Sequence, residues 1–235
     1  LINGDDAFKL YDTFGFPIDL TSLIAGEKSF KVDIEGFNEN MKIQKNRSKS
    51  KKNDDLSDWV IINNNINSSV FMGYDLLEIE GNICKYREAK SDDGKINYHI
   101  VTDMTTFYPE GGGQIGDTGE IISSGDKIKV IDTFKDTGDI IHLTTSLPSD
   151  FKSKVKLKVN NNKRSLIESN HTSTHLLHQA LRKILGSHVE QRGSMISEDM
   201  FRFDFSHPSK LSDNDIDSIN GFVNDRIKDS IPLIE

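Results

Sequence analysis

Two histidines four residues apart, His171 and His175 in Asn170-His171-Thr172-Ser173-Thr174-His175, are the side chains best spaced for chemistry. On a helix, positions i and i+4 share a face, so both imidazoles can reach a single ion. At about 100° per residue, His175 lies roughly 40° and His178 roughly 340° round from His171. Leu176, Leu177, Ala180, Leu181, Ile184 and Leu185 fall between roughly 140° and 320°. The leucines mark the core face and the histidines point away from it. Two readings fit that pattern, a metal-binding pair and a pair of surface histidines. Thr172 stands where an H-E-x-x-H metalloprotease carries its glutamate base, which excludes that chemistry. His178 is seven residues from His171, about 10 Å along the axis, too far to join it as a third ligand.

A second stretch, Thr106-Phe107-Tyr108-Pro109-Glu110-Gly111-Gly112-Gly113-Gln114-Ile115-Gly116-Asp117-Thr118-Gly119, contains three glycines in a row. Such a run costs backbone entropy, so the chain needs positive φ or close approach here. It is either a hairpin turn or a loop over a site. No Gly-Lys-Ser/Thr follows, so it is not a Walker A loop. Lys152, Lys154, Lys156 and Lys158 alternate with Ser153, Val155, Leu157 and Val159, which puts four cations on one face of a strand. Lys42, Lys45, Arg47, Lys49, Lys51 and Lys52 form another basic run. Each is a solvated face or a contact for an RNA backbone, which needs local rather than total positive charge.

These groups have to be positioned by a chain of 235 residues with a net charge of -8, which argues against a generic nucleic-acid binder. Its length suffices for one large domain or two small ones. No apolar run approaches the ~20 residues of a membrane span, and no secretory signal opens the chain. The single cysteine, Cys84, excludes an internal disulfide and suits a reducing cytoplasm. It alternates with its neighbours as an ordinary strand residue. The chain opens at Leu1 and stops at Glu235 after Ile231-Pro232-Leu233-Ile234, as a piece of a larger protein would.

The pattern predicts an α+β chain: a helical N-terminal segment, a small β-barrel, and an α/β sandwich-like core carrying the histidine helix. The expected divisions are 1–60, 61–163 and 164–235. Gly4-Asp5 is expected to cap a first helix ended by Gly15 and Pro17; a second helix runs over Asp19–Glu27, and Asp33 starts a third. Asn53-Asp54-Asp55 and Asn63-Asn64-Asn65 read as linker. Strands are expected at 76–80, 83–86, 98–101, 128–131 and 140–143. The histidine helix is expected from about Glu168 to Leu185, ended by Gly186. Phe201, Phe203 and Phe205 alternate with polar residues as a half-buried strand. A last helix, about Ser212–Lys228, presents Ile216, Ile219, Phe222, Val223 and Ile227 inward.

Three stretches together, in order, resemble alanyl-tRNA synthetase. Asp6-Ala7-Phe8-Lys9-Leu10-Tyr11-Asp12-Thr13-Phe14-Gly15-Phe16-Pro17 is similar to the end of the helical tRNA-recognition region. Phe107 to Gly119 is similar to the glycine-rich motif of the editing domain. His171 to His175, Gln191-Arg192-Gly193-Ser194 and Arg202-Phe203-Asp204-Phe205 are similar to the editing core. The resemblance implies that the full enzyme joins alanine to its tRNA with ATP and Mg2+ in a region absent here. It implies that this part hydrolyses seryl- or glycyl-tRNA(Ala). The implied metal is zinc on His171 and His175, completed by a later Cys-x-x-x-His that this sequence lacks, so weak zinc binding and poor isolated hydrolysis are expected.

The resemblance also places Thr174 and Gln191 in the amino-acid pocket. Gly111, Gly112, Gly113, Gln114, Lys154, Lys156 and Lys158 are expected near the tRNA acceptor end, in the cytoplasm and with no membrane. The alternative from another class is a non-catalytic tRNA-docking module, in which the lysines and glycines grip RNA while the histidines merely pack.

Overall fold

The computed structural model describes residues 1–14, 16–42, 56–63, 69–91 and 94–230. They fall into two compact units, Leu1–Leu56 and Ser57–Glu235. In the first, α1 (Gly4–Phe14) and α2 (Ile18–Glu27) precede α3 over residues 34–42. The cap of α1 is Asn3 rather than Gly4-Asp5, since Asn3 Oδ1 accepts the Asp6 amide at 2.8 Å. Gly4 has a different task. A Cβ there would lie 2.3 Å from the Gly36 backbone, so the absence of a side chain lets α1 meet α3. Asp33 caps α3 as expected, its Oδ1 accepting the Gly36 amide at 3.0 Å. Phe37 is buried, with Tyr11 edge-on at 5.6 Å. Gly15, the basic run beyond Lys42, the linker Asn53-Asp54-Asp55, Asn64-Asn65 and the apolar run after Ser230 lie outside the described residues.

The second unit opens with an eight-stranded sheet. Its strands are β1 (Val60–Ile61), β3 (Glu78–Gly81), β4 (Ile83–Lys90), β5 (Ile96–Thr102), β7 (Gly119–Ser123), β8 (Asp126–Asp136), β9 (Asp139–Thr144) and β10 (Val155–Val159). Their spatial order is β1-β4-β5-β9-β8-β7-β10-β3. A short parallel pair joins β2 (Val70–Phe71) to β6 (Met104–Thr105). The expected small barrel is corrected here. Among the described residues no ladder joins β1 to β3, and the sheet stays open with those two strands at its edges.

Alternation explains the burial. Val155, Leu157 and Val159 point into a core with Ile83, Ile100, Phe107, Ile121, Ile128 and Val130, while the lysines between them face out. Each such side chain contributes about 1.5–3 kcal/mol on burial. Cys84 belongs to a separate cluster with Val101 and Ile141, against Trp59 and Phe134. Burial pushes its thiol up to about 11, which leaves it unreactive at neutral pH.

Helix α4 (Asn161–Leu185) is two turns longer at its start than expected. Asn160 caps it by accepting the Lys163 amide at 3.2 Å, and the polar run Asn161–Arg164 hides that start from an apolar-period reading. Of the expected leucine face, Leu177, Ala180, Leu181, Ile184 and Leu185 pack with Val189, Phe203, Phe205, Ile219, Phe222 and Val223, while Leu176 is half-buried and not among them. Val189 comes from the segment before β11 (Gln191–Ile196), Phe203 and Phe205 from its hairpin partner β12 (Phe201–Phe205), and Ile219, Phe222 and Val223 from α5 (Asp213–Asp229), where Ser212 forms a capping box with Asp215. Two expected inward residues of α5 are corrected, because Ile216 is 43% and Ile227 51% exposed. No described helix is long and apolar enough to cross a membrane.

Candidate functional site

The site is built where the glycine-rich stretch, β11 and α4 converge. Gly111 and Gln114 close a tight turn, each amide donating to the other's carbonyl at 3.0 Å. Gly112 and Gly113 take φ of +61° and +85° within it. A Cβ on Gly113 would sit 2.4 Å from Ser194 Oγ, so this glycine also permits β11 to lie against the turn. The Ile196 amide donates to Gly113 O at 2.8 Å and the Ile115 amide to Ile196 O at 3.1 Å. The stretch is therefore a turn, the first of its two expected readings, and its glycines also admit the close approach of β11. Gly112 faces open space.

The turn is tied to α4 by a buried ion pair. Asp117 is 2% and Arg164 5% exposed, and the Arg164 Nε donates to both Asp117 oxygens at 3.1 and 3.0 Å. Arg164 also donates to the carbonyls of Gly73 at 2.8 Å and Thr106 at 2.9 Å, and Asp117 Oδ2 accepts the Tyr108 amide at 2.7 Å. Burial works against the Arg164 charge, but the Asp117 carboxylate outweighs it and holds the guanidinium above its ordinary range. Nothing in the local sequence pattern marks either residue for a role. The available signal was positional: Arg164 is seven residues before His171, about 20° from it on the helical wheel.

Further along that stripe, His171 and His175 stack at 5.1 Å with their planes 22° apart. His171 is half-buried, and its Nδ1 lies 2.7 Å from Gln114 Oε1. Burial first, and then the His175 charge, hold its pKa below the ordinary histidine value. His175 is exposed. His178 turns to Phe203 at 5.2 Å, and its Nε2 is buried without a partner among the described residues. It shares an open polar depression with His175, Gln179, Arg182, Lys183 and Ser187.

Thr174 is 5% exposed, and its hydroxyl donates to Asn170 O at 2.9 Å. That leaves the oxygen as an acceptor only. Gln191 is exposed at the start of β11, its Nε2 donating to Ser194 Oγ at 3.2 Å. The lysines lie on β10, which pairs with β7 and β3. Lys156 pairs with Glu78 at 2.9 Å and Lys154 approaches Glu80 at 4.0 Å across the edge strand. Glu78, beside Lys156 and Lys158, is held below the usual carboxylate range, chiefly by its bond to Lys156.

Two imidazoles with an acceptor behind one of them suit half of a tetrahedral zinc shell. Among the described residues, no three His, Cys, Asp or Glu side chains gather to hold a metal.

The chain matches the family model for tRNA synthetases class II (A) over residues 1–164, which include the glycine-rich turn and end before His171, and it belongs to that family. It is similar along its whole length to alanine–tRNA ligases: 48% identical over 234 residues to that of Cytophaga hutchinsonii, and 46% over 235 residues to those of Christiangramia forsetii and Parabacteroides distasonis. The chain spans about a quarter of these relatives, 26% of the first and 27% of the other two.

Proposed function

We propose that this chain is the part of an alanine–tRNA ligase that hydrolyses wrongly attached serine or glycine from tRNA(Ala). The observation that carries the reading is the joint placement of His171, His175 and Thr174 on one helix beside Gln114 of the glycine-rich turn. An alanine pocket excludes glycine poorly, since a missing methyl group is worth only about 1–3 kcal/mol, and it rejects an added hydroxyl weakly. A second site that bonds the hydroxyl reverses the preference for serine over alanine.

Thr174 suits that task because its own proton is committed to Asn170, so its oxygen can accept from the serine hydroxyl. Bound alanine would leave that oxygen unpaired. Gln191, whose amide is held by Ser194, would border the same pocket, and the acceptor end of tRNA would enter past open Gly112. Zinc, when bound, supplies Lewis acidity and a polarised water. His171 and His175 would hold it, and the rest of its shell would come from outside the described residues. In the reaction, water adds to the ester carbonyl, the bond to the ribose 3′ oxygen breaks, and that oxygen takes a proton. The products are free amino acid and tRNA.

The alternative of a docking strand loses ground because Lys154 and Lys156 already face carboxylates. The test is Thr174→Val in the full-length ligase, assayed for release of serine from seryl-tRNA(Ala). A loss of about 1–2 kcal/mol in transition-state stabilisation, roughly 5–30-fold in kcat/KM, is expected for a lost neutral hydrogen bond, together with weaker serine-over-alanine discrimination. Unchanged rate and discrimination would remove Thr174 from the pocket.

A further inference from the structure

Gln114 is a buried polar residue whose side chain has no part in closing the turn it belongs to. Backbone bonds between Gly111 and Gln114 do that. The side chain, 5% exposed, instead places Oε1 2.7 Å from His171 Nδ1. A carbonyl oxygen can only accept, so Nδ1 must carry the proton, and Nε2 of the neutral ring keeps its lone pair.

The turn cannot easily withdraw this contact. It is pinned on β11 through Ile115, Gly113 and Ile196, and α4 is anchored to the same loop by Arg164 and Asp117. On the other side of the His171 ring, His175 stacks 5.1 Å away and limits its rotation. With its amide turned over, Gln114 would donate to Nδ1 and force the opposite tautomer. Nε2–H would then face away from Gln114 with no electron pair to offer.

We infer that Gln114 is a positioning residue: its carbonyl holds His171 in the Nδ1-protonated tautomer and so presents Nε2 as the electron-pair donor beside His175. The use made of Nε2 rests on the editing function proposed above, whereas the hydrogen bond and the tautomer do not.

The experiment is long-range 1H–15N correlation on the 235-residue chain labelled with 15N-histidine, at a pH where the rings are neutral, with the His171 signals assigned by their loss in His171→Asn. Wild type should show the Nδ1-protonated pattern at His171. Gln114→Glu keeps an acceptor and should retain that pattern. Gln114→Met matches the shape without the carbonyl and should shift His171 towards the Nε2-protonated form, with the other six histidines unmoved. Their unchanged signals, together with the amide spectrum, report that the variant is folded.

An Nε2-protonated His171 in wild type overturns the inference. So does a folded Gln114→Met chain that keeps the wild-type pattern. The tautomer result with no seryl-tRNA hydrolysis by the full-length ligase sinks the proposed function and leaves the positioning role standing. Hydrolysis without the tautomer result does the reverse.

Discussion

Arg164 and His175 lie on one stripe of α4, eleven residues or about three turns apart, and their surroundings are opposite. Around Arg164 every polar partner is in place: the Asp117 carboxylate, Glu168 at 3.6 Å, two carbonyls and burial from water. Around His175 the imidazole is exposed and borders the open depression with Arg182 and Lys183. His171 stands between them, half-buried, with Gln114 on one nitrogen. One helix thus carries on the same face first an anchor and then the candidate site. A saturated polar cluster fixes geometry but has no capacity left for a ligand, whereas a site needs groups left open on a scaffold that does not move.

The sharpest way to break this contrast is Arg164→Ala, which leaves Asp117 buried and uncompensated. A loss of about 3–5 kcal/mol in urea unfolding is expected for severing such a pair. A loss below about 1 kcal/mol would mean that the anchor is no anchor.

A second test compares histidines. His142 is fully buried in the sheet, its Nδ1 3.0 Å from Ile100 O and its Nε2 2.8 Å from Thr105 Oγ1, and burial pulls its pKa down to about 4. The unfolded chain, with an ordinary histidine value near 6.5, binds this proton first. The stability linked to His142 is therefore fully present above about pH 6.5 and is lost as pH falls towards about 4. The expected slope is about 1.4 kcal/mol per pH unit, or about 3 kcal/mol over the window. The difference in unfolding free energy between wild type and His142→Gln across that range measures it, and a flat difference would place His142 with the open histidines rather than with the scaffold.

The smallest effect sharpens the contrast inside the turn. Gly112→Ala meets only the cost of positive φ, about 1 kcal/mol, because nothing lies within 4 Å of its Cβ. Gly113→Ala adds collision with Ser194 and should cost about 2–3 kcal/mol, with weakened protection of the Ile196 amide in hydrogen exchange. Equal costs at the two positions would show that β11 does not hold the turn.

Much of this molecule was legible from local pattern. The five expected strands, the leucine face of α4, its stop at Gly186 and the Asp33 cap follow from periodicities and capping preferences that act over a few residues. The departures came where distant chain decides. The sheet was expected to close and does not, since closure depends on stagger accumulated over eight strands. Asn3 rather than Gly4-Asp5 caps α1, because Gly4 is taken by contact with Gly36. The lysine face was read from one strand, and its glutamate partners sit on another, about 75 residues away in sequence.

For the site, the sequence alone determined that two imidazoles share a helical face, that a glycine-rich turn exists and that the core lies opposite the histidines, since spacing on a helix is local geometry. Only the tertiary structure brought Gln114 to His171 and Asp117 to Arg164, pairs separated by 57 and 47 residues. Nothing in either stretch encodes the other's position. Their meeting depends on a glycine lacking a Cβ at β11 and on a buried charge that can be satisfied in one arrangement of the folded chain.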